Sequence, residues 1–368
     1  MSMLPFYLTF ACISVLSLFD FAAGLRAYKI FCFWFMVLFL VLLASFRSVG
    51  VGSDDQAYMA IFSSVPSLLE CEGVFCGYKY SEYNVEFGFF WLLSLLSVFG
   101  TAQYWLFAPI AFLSVYLNLK SIRSFSPYVG ASSLIYFSHF FLAKEMNAIR
   151  VGLASAILFY AAFLLTRRRY FFAFLLFLMA GSIHISSIFF LIPVAVYLIA
   201  PGRLVLVSSA FFLLLFSWFF DLKVFFNHFS DLGFVGDKIQ LYLSAEAYSY
   251  ALPVFDIVNS RNLLIVFTGL LYWDRLSSRY EWFNVSFYFF YSATFFRIVC
   301  GDFAILAGRG YSTISMFEYV LIPFLVFGLL GCRVAYLIVC LYALLTLWLN
   351  LTINSGWSGG VEFFYDLV

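Results

Sequence analysis

The chain is 368 residues long, 65% hydrophobic and 23% aromatic, with only 11% charged residues and a formal net charge of +1. That composition excludes a soluble globule, and so balanced a charge gives no basis for nucleic-acid binding. The apolar/polar alternation of an outer-membrane barrel is absent, so the expected fold is an all-α polytopic membrane protein.

In chain order, apolar runs fall at about 3–19, 30–46, 87–99, 103–118, 128–143, 149–165, 170–183, 184–200, 204–220, 262–273, 283–299, 314–331 and 334–350. A run of roughly 17–20 apolar residues suffices to cross hydrocarbon as a helix. The first run lacks a basic leader and a small-residue cleavage site, and reads as a retained helix. Orientation follows from the cations. Arg26, Lys29, Lys120, Arg123, the triplet Arg167–Arg169, Arg203, Arg275, Arg279 and Arg333 belong on the cytoplasmic side. If all thirteen runs crossed, one of these basic loops would face the wrong way. The conflict resolves if the weakest candidate between 87 and 118, the stretch 87–99, is re-entrant or interfacial. That leaves about 12 transmembrane helices with both ends outside, and only Asp20, Asp274 and Glu281 accompany the cytoplasmic cations. No internal repeat or linker interrupts the chain, which reads as a single integral membrane domain, 1–368, with external loops 47–86, 221–261 and 300–313.

The external side collects the polar groups that carry chemistry. Ser53-Asp54-Asp55-Gln56 has the pattern of a capping box with Ser53 as N-cap, which accounts for Asp55. Asp54, with Tyr58 one turn later, is the carboxylate then left over. Glu86 opens the stretch expected to dip into the membrane, where a carboxylate is costly; the alternative is an acid at a helix start. Lys144, Asn147 and Arg150 follow one another at steps of three, a polar ribbon if the segment is helical, suited to an anion or to snorkelling. His184 ends an apolar run as either a structural group or a base, whereas His139 and His228 read as structural. Arg309 lies between glycines in an expected flexible loop, and its planar fork suits phosphate oxygens. Ser315 to Glu318 has the pattern of a second capping box. Cys71 and Cys76 share the first external loop and are a candidate disulfide in an oxidising compartment, while the other cysteines read as small hydrophobes.

Arg47, Lys144, Arg150, Arg297 and Arg309 thus run against the positive-inside trend. They either pair with the acids of the same side or form a site for a phosphate-bearing amphiphile, with carboxylates nearby for proton transfer. The chain contains no P-loop, no HExxH and no GxSxG, and no cofactor or metal is expected; Asp54-Asp55 is the one place a metal could be held.

The order of these pieces resembles the EpsG/Wzy type of bacterial polysaccharide polymerases. The elements that carry the resemblance are Arg47…Gly52-Ser53-Asp54…Tyr58, Glu86-Phe87-Gly88, Asn147…Arg150-Val151-Gly152-Leu153-Ala154, the basic turn Arg167–Arg169, His184-Ile185-Ser186-Ser187 and Arg309…Phe317…Pro323. Each is loose, and the specificity lies in their order over residues 47 to 323. A Pro expected after Glu86 is replaced by Phe87. The resemblance implies a GT-C-like glycosyltransferase of the bacterial inner membrane with its active site facing the periplasm. It implies an O-antigen or exopolysaccharide polymerase that moves the growing glycan from undecaprenyl pyrophosphate onto a new undecaprenyl-pyrophosphate-linked repeat unit. Arg150 and Arg309 would hold the pyrophosphate, assisted by Arg47, Lys144 or Arg297, with Tyr58 and Asn147 as further substrate contacts. Asp54, Glu86 and His184 are the candidate bases. The implied partners are the lipid-linked oligosaccharide, the bilayer and a chain-length regulator. A lipid-linked oligosaccharide flippase, which needs a polar path at the membrane midplane, and an O-antigen ligase are the alternatives.

Overall fold

The computed structural model describes residues 3–21, 26–71, 73, 76–219 and 250–352. Most of the expected loop 221–261, with His228, lies outside the described residues. Among those described the chain is helical, without a strand, and every predicted apolar run is a helix. Five helices are long and apolar enough to cross a membrane: Leu4–Phe21, Gln103–Phe125, Ile149–Thr166, Ala304–Leu329 and Cys332–Thr352. Six more are apolar but shorter, among them Phe87–Phe99. At 1.5 Å per residue that helix extends about 20 Å, well short of a hydrocarbon core of about 30 Å. It stops at Gly100, whose φ of +130° is open only to glycine. Large apolar side chains such as Leu38, Phe171, Phe212 and Leu341 lie exposed along these helices. That surface would aggregate in water and is at home in lipid, as expected of a multi-pass membrane protein.

Two external segments contain helix, the first where the Ser53–Gln56 pattern expects a helix start, the second where a flexible loop is expected. Asp55–Ser64 and the short Tyr80–Tyr83 occupy part of 47–86, and Ala304–Ile314 occupies most of 300–313. Arg309 therefore sits on a helix rather than in a flexible loop. The glycine after it has a packing role: a methyl group at Gly310 would run into the Phe296 ring. The helix can lie against its neighbour only because Gly310 has no side chain.

The helices form two compact units, one from the chain up to Ser187 together with the stretch from Leu329, the other from Ile188–Gly328. In the first, Gln103–Phe125 packs along Ile149–Thr166, with Phe125 stacked on Phe159 and the Lys120 ammonium set between the Tyr116 and Tyr160 rings. The Asp20 carboxylate accepts from the Gly130 and Ala131 backbone N–H groups, supplying the partners that the first turn of Val129–Ile135 lacks. That helix widens into a π-helical turn at Tyr136–Phe141. The widened turn leaves carbonyls exposed, and Asn350 Nδ2 donates to those of Ser138 (3.0 Å) and His139 (3.1 Å). In the second unit Phe283–Val299 is buried on nearly every side by the helices around it. Asp256 caps Ile257–Leu271, accepting from the Asn259 backbone N–H at 2.7 Å.

Candidate functional site

In the first unit, residues 86, 150 and 184 converge. Glu86 is the residue before helix Phe87–Leu96, but its side chain caps nothing there. One carboxylate oxygen accepts from Arg150 Nη1 at 3.0 Å, and the other accepts from the Ile185 backbone N–H at 3.0 Å. Glu86 thereby ties the start of Ile149–Thr166 to the turn after His184. Arg150 Nη1 also reaches the Asn84 carbonyl at 3.4 Å, presented by a left-handed residue (φ +53°) of a type that tolerates that conformation. The Arg150 guanidinium lies 5.7 Å from the Tyr58 ring centroid and 5.8 Å from that of Phe89, while its Nε is buried without a hydrogen-bond partner. Burial pushes the Tyr58 hydroxyl above the usual phenol range, and the Arg150 charge beside it pulls partly back. Part of the Arg150 side chain remains exposed.

His184 stands at the C-terminal end of Tyr170–Ile183 in extended conformation. Its Nδ1 accepts from the Ser186 backbone N–H at 3.1 Å and lies 2.7 Å from Ser186 Oγ. A backbone N–H can only donate, so Nδ1 carries the lone pair and the neutral ring carries its proton on Nε2. The basic nitrogen is therefore already covered. This geometry makes His184 a hydrogen-bond donor in its neutral form, and a poor proton acceptor.

The expected capping box at 53–56 is not formed. Asp54, not Ser53, precedes helix Asp55–Ser64, and no side chain caps it. The Ser53 hydroxyl turns to Asn147 Oδ1 (3.0 Å), which also accepts from the Asp54 backbone N–H (3.2 Å). Asn147 is thus engaged in holding this turn in place. Asp55 reaches back to the Gly52 N–H at 2.9 Å and inward to Arg47, which draws the turn one residue off the capping register. Asp54 itself is exposed, and its carboxylate meets only Ser53 Oγ, at 3.3 Å, among its hydrogen-bonded contacts.

The ribbon Lys144–Asn147–Arg150 is also absent, because the helix ends at Lys144 and restarts at Ile149. The turn between them packs on Gly152, where a side chain would meet the Glu145 carboxylate and the Lys144 backbone. The break sends Lys144 inward to Ser155 Oγ (3.1 Å) and over the Phe140 ring, while Arg150 faces Glu86. Arg47 is fully buried. Its Nε and Nη2 donate to Asp55 at 3.1 and 2.7 Å, and its plane lies 3.9 Å from the Phe107 centroid. Beside it lies Glu145, a member of the same polar group in the sequence, whose buried role the sequence does not reveal. That carboxylate is buried against Ser114, Asn118 and Tyr136, and burial pushes it above the usual carboxylate range despite these donors, Lys144 and Arg47.

The second unit holds a separate network. Arg297 pairs with Asp256 at 2.8 Å and bonds Asn259 Oδ1. Its guanidinium lies 5.9 Å from the Tyr311 ring centroid. Arg261 pairs with Glu318 at 3.0 Å and bonds Asn262 and Tyr311. Glu318 is completely buried, so the expected Ser315–Glu318 capping box does not form, and the Ser315 hydroxyl lies buried without a partner. The physical reason is that the chain enters Glu318–Leu329 from a 3-10 turn, and Arg261 takes the carboxylate. Arg261 escaped sequence reading because the apolar run was begun at 262. Arg309, in contrast to Arg297, is exposed. Cys71 and Cys76 are joined as a disulfide, with Cα atoms 4.7 Å apart. Among the described residues no group of three or more His, Cys, Asp or Glu side chains is placed to hold a metal ion.

The profile of the EpsG family matches residues 30–364. The amylovoran biosynthesis protein AmsC of Erwinia amylovora is 27% identical over 285 residues, covering 74% of this chain and 72% of that protein. No solved structure matches.

Proposed function

Since this chain belongs to the EpsG family, we propose that it is a polysaccharide polymerase of the GT-C kind, crossing the bacterial inner membrane about twelve times with its catalytic face in the periplasm. Its reaction is transfer of a growing glycan from undecaprenyl pyrophosphate to the sugar of a new undecaprenyl-pyrophosphate-linked repeat unit. AmsC is by name a protein of amylovoran biosynthesis, in keeping with this reading.

The observation that carries the reading is the Glu86–Arg150 pair. Glu86 holds Arg150 at the start of a membrane-length helix with part of its side chain exposed. A fixed, partly desolvated guanidinium stabilises the charge that develops on a departing pyrophosphate, and Glu86 acts by positioning it. Glu86 is thereby less suited to be the base. His184, with its basic nitrogen covered, is likewise less suited to be the base. Of the candidate bases Asp54 is the exposed carboxylate, and it takes the proton from the acceptor hydroxyl. Tyr58 and Asn147 support Arg150 and Asp54 respectively. In the other unit the exposed residue Arg309 is offered to phosphate, while Arg297, like Arg47 and Lys144, is buried. A chain-length regulator acting on product length fits the same role.

The test uses purified protein with its undecaprenyl-pyrophosphate repeat unit and neither nucleotide nor added metal. A ladder on a gel, with release of undecaprenyl pyrophosphate in step with bonds formed, is the expected result. Movement of the lipid across a vesicle membrane without a ladder would replace polymerase by flippase.

A further inference from the structure

Below the Glu86–Arg150–His184 cluster, and within the same unit, lies an open cavity of about 300 Å³. It is bounded by four helices through Gly88, Leu95, Leu117, Leu153, Ile157 and Ser182 among others, and its wall is almost wholly apolar. The cavity continues the polar cluster. Glu86 is two residues from Gly88, Arg150 is three residues from Leu153 and so on the same helical face, and His184 directly follows Ile183 of the wall. Gly88 fixes its upper end, because any side chain there would collide with Ser182. On the outer side Leu95, Leu113 and Met179 are each 40% exposed or more, so the cavity opens sideways toward lipid.

A partly exposed cation above an apolar cleft matches one class of ligand, an anionic amphiphile whose head meets Arg150 and whose chain runs down the cleft. We propose that this cleft binds the head-proximal part of an isoprenoid chain, and that Leu113, Leu117 and Leu153 set the affinity for it. The proposal rests on the polymerase reading for the choice of an isoprenoid pyrophosphate. At about 300 Å³ the cleft stands at the lower end of small-ligand pockets and takes only a short length of chain, leaving the rest in the bilayer.

The experiment measures binding of undecaprenyl pyrophosphate and of inorganic pyrophosphate, which has the head but no chain, to the full-length protein in nanodiscs. Wild type is compared with Leu113→Trp, Leu117→Trp and Arg150→Ala. Each Trp variant fills part of the cleft and is expected to weaken the long-chain ligand about tenfold, by denying burial to a few methylene groups. Arg150→Ala is expected to weaken both ligands. Leu113 faces outward, so its replacement leaves the fold intact and keeps the test sound if Leu117→Trp does not accumulate. Unchanged long-chain binding in Leu113→Trp, or displacement of undecaprenyl pyrophosphate from wild type by phosphatidylglycerol at equal concentration, overturns the proposal. The ladder assay on the same preparations separates the two readings. A wild-type ladder with unchanged Trp-variant binding removes the cleft and keeps the polymerase. Weakened Trp-variant binding without a wild-type ladder keeps the cleft and removes the polymerase.

Discussion

Replacing Arg47 distinguishes a phosphate ligand from an internal strut. Its side chain and that of Asp55 have no solvent exposure. The guanidinium makes a two-point contact with that carboxylate, reaches the Ala44 and Glu145 carbonyls through Nη1, and faces the Phe107 ring. Arg47→Ala strands the Asp55 charge in a fully buried site, for which a loss of about 3–5 kcal/mol is expected. Asp55→Ala strands Arg47 and costs about the same. The double variant Arg47→Met/Asp55→Leu removes both charges while keeping volume, and is expected to lie within about 1–2 kcal/mol of wild type. The assay is thermal unfolding of the four proteins in one detergent, with polymer formation measured on each. The expected outcome is low abundance and early unfolding of both single variants, with recovery of stability and polymer in the double. A double variant that unfolds like wild type yet makes no polymer would refute this reasoning and return Arg47 to the substrate.

Arg150→Ala should lower the polymerisation rate about 10²–10³-fold with normal membrane abundance, the usual cost of losing a group that stabilises developing charge. Glu86→Gln should lower it less, and purified initial rates on both variants check the order. Asp54→Asn should cost about 10²–10⁴-fold in rate while leaving binding of undecaprenyl pyrophosphate unchanged, since a lost base affects the bond-forming step. His184→Gln keeps a side-chain N–H donor and should retain most activity, whereas a loss as deep as that of Asp54→Asn would show that the ring acts as a base. Gly310→Ala forces a methyl group into the Phe296 ring and should destabilise by about 1–3 kcal/mol, read as a lower melting temperature in detergent.

Sequence alone determined the all-helical class, the position of each apolar helix and the family, because hydrophobic length and the order of polar punctuation are local properties of a chain. It also marked Glu86, Arg150 and His184 as worth attention, since charge beside hydrocarbon is costly wherever it stands. The direction each side chain takes was decided by tertiary structure. Lys144, Asn147 and Arg150 stand at steps of three and would form one polar ribbon on an unbroken helix, yet a break packed on Gly152 sends Lys144 inward and leaves Arg150 beside Glu86. Arg47, Arg150 and Arg297 look alike in a list of cations and each is paired with a carboxylate, but Arg47 and Arg297 are buried whereas part of the Arg150 side chain stays exposed. Whether a charge is offered to a ligand or satisfied within the protein depends on a partner distant along the chain, and the Ser186 N–H that covers His184 Nδ1 is fixed only when the turn is folded. Partnering of that kind leaves no periodic trace in a sequence, which is why the helices were legible before the structure and the roles of the cations were not.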